Sequence, residues 1–202
     1  MIKTFTAAAV AALFSTAAFA GTYTVTVTNN MATELLAPIL ITDVENDNLI
    51  FSGNYVTKAA EEQILTGDPA ALAKRIGSRA MAGHRASVAH GTDGPPGVLL
   101  APGKSLSFII NTEASSVRIL SMVAPTEVPD NYVTAVVDLK TGEMMSDDSM
   151  SSDSMSDDAM MANGMVGDIV ALDRYDIGND EGTKTITPVK ANVATITFVE
   201  KM

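Results

Sequence analysis

A mainly β fold, antiparallel and built as a sandwich or barrel, is what this 202-residue sequence predicts, and two observations carry the prediction. Tyr23, Val25 and Val27 alternate with Thr22, Thr24, Thr26 and Thr28, the period of two that marks a strand with one buried face. Further short apolar runs follow, separated by clusters of Pro, Gly, Asn and Asp, which is the pattern of antiparallel strands and not of alternating βα units.

Taken in order, the strand at Gly21 to Asn29 ends in the turn Asn29-Asn30, and Ala37 to Thr42 forms a second apolar run closed by the polar cluster Asp43 to Asn48. Pro38 has no N–H for a ladder, so it belongs at that strand's start or on an edge. Between about Lys58 and Gly83 the period changes. Asp68-Pro69 reads as an N-cap followed by a first-turn proline, with Leu72, Ile76 and Ala80 recurring at helical spacing, so one or two short helices are expected there. The stretch His90 to Gly97 is a Gly/Pro loop. Strands are then expected at Ser105 to Ile110, Val117 to Val123, Tyr132 to Leu139 and, alternating again, Ala194 to Val199. The first and last strands are candidates for a shared sheet.

Ahead of these, Lys3, the apolar run Ala7 to Phe14 and the small-x-small triplet Ala18-Phe19-Ala20 have the layout of a secretory signal peptide. Cleavage near Ala20 is expected, giving a secreted or periplasmic protein of about 180 residues, enough for one domain with a sizeable core. No later run is long and apolar enough for a membrane-spanning helix. The chain contains no cysteine, so no disulfide supports the fold even in an oxidising compartment. Formal charge is −11, and loss of Lys3 with the leader makes the remainder more acidic still. Such a surface repels phosphate backbones, which argues against nucleic acid as a partner. It suits cations.

Enzyme signatures are absent from the sequence: no cysteine nucleophile, no G-x-S-x-G elbow, no H-E-x-x-H and no phosphate-cradling G-x-x-x-x-G-K, so a non-catalytic protein is expected. A hydrolase built from distant Ser, His and Asp residues, or from Asp130 and Asp176 as paired acids, is the third-ranked alternative. His84 and His90 read as surface residues.

One stretch concentrates hard oxygen ligands in a turn-forming sequence, Leu172 to Gly182, where Asp176 and Asp180 flank Gly178. Calcium takes about 6–8 oxygens, and carboxylates along a glycine-containing loop supply several of them. The spacing is not that of an EF-hand: Gly178 occupies the third position, and no Glu closes a twelve-residue loop.

The chain resembles the spondin N-terminal domain family of extracellular matrix and secreted bacterial proteins. The likeness lies in the opening T-Y-T-V-T-V-T-N strand, the A-P-I-L run, the turn Leu100-Ala101-Pro102-Gly103-Lys104-Ser105, and two acidic motifs. The first is Val128-Pro129-Asp130-Asn131-Tyr132-Val133. The second, Tyr175-Asp176-Ile177-Gly178-Asn179-Asp180, matches the family's Y-D-A-G-T-D in four of six positions. The resemblance implies an antiparallel β-sandwich that binds calcium through Asp130, Asp176 and Asp180, with an unidentified extracellular or surface ligand as partner. Asp173 and Glu181 are possible additional ligands. Asn131 departs from the family, standing where an aromatic residue is usual, and the family's cysteines are missing.

Between the acidic motifs lies an insertion expected at about residues 142–167 and expected to be disordered. Its centre, Met144 to Met161, holds six Met, six Ser, five Asp and one Ala, and within it Met145 to Ala159 forms three consecutive pentads. A period of five matches neither helix nor strand burial. Thioethers select soft Cu(I), so periplasmic copper handling through these methionines is the alternative function. The composition favours a solvated acidic linker over a chelator.

Overall fold

The computed structural model describes residues 21–79, 85–124, 130–139 and 164–201. The expected leader, His84, Val128-Pro129 and residues 142–163 of the expected insertion lie outside them.

Twelve strands account for about half of the described chain: β1 (Gly21–Asn29), β2 (Leu35–Leu36), β3 (Ile39–Asp43), β4 (Phe51–Ser52), β5 (Tyr55–Val56), β6 (Ala86–Ala89), β7 (Ser105–Thr112), β8 (Ser116–Ala124), β9 (Asn131–Asp138), β10 (Gly164–Met165), β11 (Val170–Asp176) and β12 (Thr187–Glu200). The main sheet runs β6-β3-β8-β9-β11-β12-β1-β7, with β10 beside β9 and β2 beside β8. Every pairing in it is antiparallel except that of β10 with β9. β4 and β5 form a separate hairpin. The first and last strands do share a sheet, with Val25 opposite Phe198 and Val27 opposite Ile196. Pro38 sits just before β3, as its missing donor requires.

Two apolar clusters explain the two kinds of strand pattern. On the inner face of the curled sheet, Tyr23, Val25 and Val27 pack with Ile41, Ile119, Val133, Leu172, Ile196 and Phe198. β1 presents only that face to apolar neighbours, hence its clean alternation. On the outer face of β3, β8 and β9, Leu40, Leu120 and Tyr132 pack beneath Leu49, Ile64, Leu72 and Ile76, contributed by α1 (Asp47–Ile50), α2 (Lys58–Thr66) and α3 (Ala70–Arg79). Strands covered on both sides read as continuous apolar runs, and β3 is buried along its whole length.

The helices expected between Lys58 and Gly83 are α2 and α3, and Asp68 performs its expected role, its Oδ1 accepting the Ala70 N–H at 2.9 Å. α1 was not expected. It begins at the end of the polar cluster Asp43 to Asn48, whose Asp47 turns out to be buried. α2 is capped by Thr57, whose hydroxyl accepts from the Ala60 N–H and donates to the Leu49 carbonyl, joining α1 to α2. Thr57→Ala is expected to cost about 1–2 kcal/mol in urea denaturation, the upper part of the N-cap range, because it removes both bonds.

Two boundaries differ from expectation. Val170–Asp176 is a strand, not a loop, so the turn-forming stretch begins only at Ile177. The last part of the expected insertion, residues 164–167, belongs to the ordered fold: Gly164 and Met165 pair with Val137 and Asp138, and the Gly167 N–H reaches the Phe198 carbonyl at 2.9 Å.

Candidate metal centre

The acidic motifs meet because β9 and β11 are antiparallel neighbours. Asp130 immediately precedes β9 and Asp176 ends β11, so both lie at one end of the pair, where Asn131 is directly opposite Asp176. The ladder continues one step further, with the Ile177 N–H donating to the Asp130 carbonyl at 3.1 Å. The chain then turns at Gly178, whose φ is +64° and where an added Cβ would stand 2.2 Å from the Thr183 hydroxyl. Both conditions call for glycine. That turn carries Asp180 and Glu181 back over Asp130.

As a result, Asp130, Asp176, Asp180 and Glu181 each offer a carboxylate oxygen within 4.8 Å of the others. All three aspartates singled out in the sequence are therefore together, and Glu181 joins them. Asp173 does not. It lies one strand position from Arg174, on the other face, and its Oδ1 accepts the Asn192 N–H at 2.8 Å, holding the backbone where Asn192 takes a φ of +53°. His90 is exposed.

A layer of supporting contacts fixes the group. The Asn131 side-chain amide donates to Asp130 Oδ1 at 2.9 Å and to Asp176 Oδ2 at 3.2 Å. Arg174 Nε donates to Asn131 Oδ1 at 2.7 Å, which settles which end of that amide faces the carboxylates. The guanidinium itself pairs with Glu34 at 3.3 Å. The amide thus draws two like-charged groups together without neutralising either. Asn131 thereby fills a role that an aromatic side chain could not, accepting from Arg174 while donating to both carboxylates.

The 177–186 loop is anchored from outside as well. Lys184 Nζ bridges Glu61 of α2 and Asn179, its N–H meets the Gly178 carbonyl at 2.9 Å, and the Ile186 N–H reaches Asn54 in the β4–β5 turn at 2.9 Å. Beneath lies an apolar floor in which Tyr132 and Tyr175 stack with centroids 5.7 Å apart and Ile177 is buried.

Electrostatically the cluster is uncompensated: among the described residues no Lys or Arg forms an ion pair with any of the four acids. Burial, together with the Asp176 carboxylate, pushes Asp130 above the ordinary carboxylate range. Glu181 is raised by hydrogen bonding to Asp180, and Asp180 is lowered by the same bond. The donor set consists of carboxylate oxygens alone, which suits a hard cation and excludes the soft-metal preference of thiolates or thioethers.

A raised folded-state value for Asp130 favours folding fully at pH below the unfolded aspartate value of about 3.9 and loses that contribution as pH climbs through the folded value. Melting temperature in chelator is therefore expected to decline on going from about pH 4 towards neutrality, and Asp130→Asn to flatten part of the decline. An equally steep decline in the variant would assign the effect to other groups.

No protein-family model matches the chain, and no curated protein matches it.

Proposed function

We propose that this is a secreted, non-catalytic calcium-binding protein of the spondin N-terminal type, a β-sandwich whose ion ties the start of β9 to the loop after β11. The observation that carries the reading is the convergence of Asp130, Asp176, Asp180 and Glu181 from two segments far apart in sequence. Supporting it are the curl of the sheet around an inner core, the neutral Asn131 amide between two carboxylates, and the absence of a protein cation on any of the four acids among the described residues. The ion would supply the missing positive charge and fix a loop end of the fold, where an extracellular or cell-surface ligand is presented.

Isothermal titration with calcium is the direct test. One ion per chain is expected for the wild type, with affinity lost in Asp176→Asn combined with Asp180→Asn and weakened, not abolished, in Arg174→Met, which frees the Asn131 amide to turn. A wild type that takes up no calcium at millimolar concentration overturns the reading.

A further inference from the structure

The main sheet has two edges, and they are treated differently. β6 is only four residues long, follows Arg85, and has Ala86 and Val88 packed against the cluster that contains Leu72 and Ile76 of α3. Short length, flanking charge and a covering helix are the usual protections of an edge strand. β7, at the other edge, is twice as long and, among the described residues, lies under no helix, although Lys104 and Glu113 flank it. Its eight residues, Ser105 to Thr112, include no charge and no proline. The register with β1 is unbroken from Ser105 to Thr112, so no bulge twists the edge away. Among the described residues its backbone hydrogen bonds go to β1 alone. Leu106 and Phe108 reach the inner core yet remain partly uncovered, and Ile109 points outward at 55% exposure.

We propose that β7 is an interface strand: two copies of this chain pair antiparallel along Ser105–Thr112 about a two-fold axis at Ile109. The occupant follows from the strand's own sequence. A two-fold axis normal to the sheet keeps inner residues opposite inner residues. Centred on Ile109, it sets Ile109 against its counterpart, Phe108 against Ile110, Ser107 against Asn111 and Leu106 against Thr112. Apolar thereby meets apolar at the middle of both faces, an aromatic meets a β-branched residue, and a hydroxyl meets an amide, all favourable cross-strand pairs. Shifting the centre to Phe108 would instead place Ser107 against Ile109. A partner recognised through charge would seek the acidic surface of this protein, which carries a formal −11, not its one uncharged eight-residue edge. A single strand pair is smaller than the roughly 1,200–2,000 Å² of standard stable interfaces, so the dimer dissociates on dilution.

The chain has no cysteine, which makes a single introduced thiol a clean probe. Ile109→Cys is expected to form a covalent dimer under mild oxidation at least tenfold faster than Val189→Cys, an equally exposed position at 51% off this strand. Sedimentation of the wild type is expected to show a dimer fraction that grows with concentration, and Ile109→Lys, which places two like charges on the axis, to be monomeric at every concentration with an unchanged far-ultraviolet spectrum. Equal cross-linking rates, or a wild type monomeric throughout, overturn the proposal. So does a wild type that dimerises only after residues 140–163 are deleted, since the edge would then be covered by the chain's own segment.

Discussion

In saturating calcium the wild-type protein is expected to melt roughly 5–10 °C higher than in chelator. Binding to the folded state alone stabilises by about 2.7 kcal/mol at a hundredfold excess over Kd, and a domain of this size shifts by about 2–4 °C for each kcal/mol. The shift should vanish in Asp176→Asn with Asp180→Asn. The two conditions separate ion binding from simple charge effects: without calcium that double variant should melt no lower than the wild type, because it removes repulsion around Asp130. A variant destabilised equally in both conditions would show instead that the aspartates matter through the turn they cap, where Asp176 Oδ1 accepts the Gly178 N–H.

A loss of similar size is expected outside that cluster. Asp47 and Arg118 form an ion pair with both side chains only 8% exposed. Arg118 Nη2 donates to Asp47 Oδ2 at 2.6 Å, Nε reaches both carboxylate oxygens at 3.1 Å, and the guanidinium lies over the Phe51 ring. Truncating one partner of a buried pair removes the carboxylate that accepts three of the guanidinium's hydrogen bonds, so Asp47→Ala is expected to cost about 3–5 kcal/mol in urea denaturation. Replacing both, as Asp47→Leu with Arg118→Met, should recover most of that loss, since the desolvation cost of the pair disappears with it. A loss in Asp47→Ala under about 1 kcal/mol, the value of exposed pairs, would indicate that water reaches the guanidinium.

The sequence discloses strands where one face is dry and the other wet, as in β1 and the end of β12, because alternation is a one-residue-at-a-time signal. It also discloses α2 and α3 through Asp68-Pro69 and the Leu72–Ile76 spacing. β11 is hidden because Asp173, Arg174 and Asp176 make it polar. Asp173 tethers Asn192, Arg174 orients Asn131, and neither task leaves an apolar period. Asp47 is hidden for a related reason: a carboxylate is read as solvated unless the arginine that buries it, 71 residues away, is known to be adjacent. At the candidate centre Asp130, Asp176 and Asp180 were legible through motif resemblance and ligand chemistry. The arrangement of Asn131 and Arg174 behind them depends on the β9–β11 register, which no local pattern encodes.

That register has a counterpart at the other end of β9. β9 leads away from the acidic cluster, and the chain re-enters the fold at β10 beside Val137 and Asp138, at the far end of the same strand. Seven residue steps separate Asn131 from Asp138, about 23 Å at the rise of a β-strand. Leu139 and Gly164, the described residues on either side of 140–163, therefore lie at the end of β9 remote from the carboxylates. The spacing of Asp130 and Asp176 is set by the β9–β11 register. One end of the strand pair carries the acidic cluster, while the chain leaves and re-enters the described fold at the other.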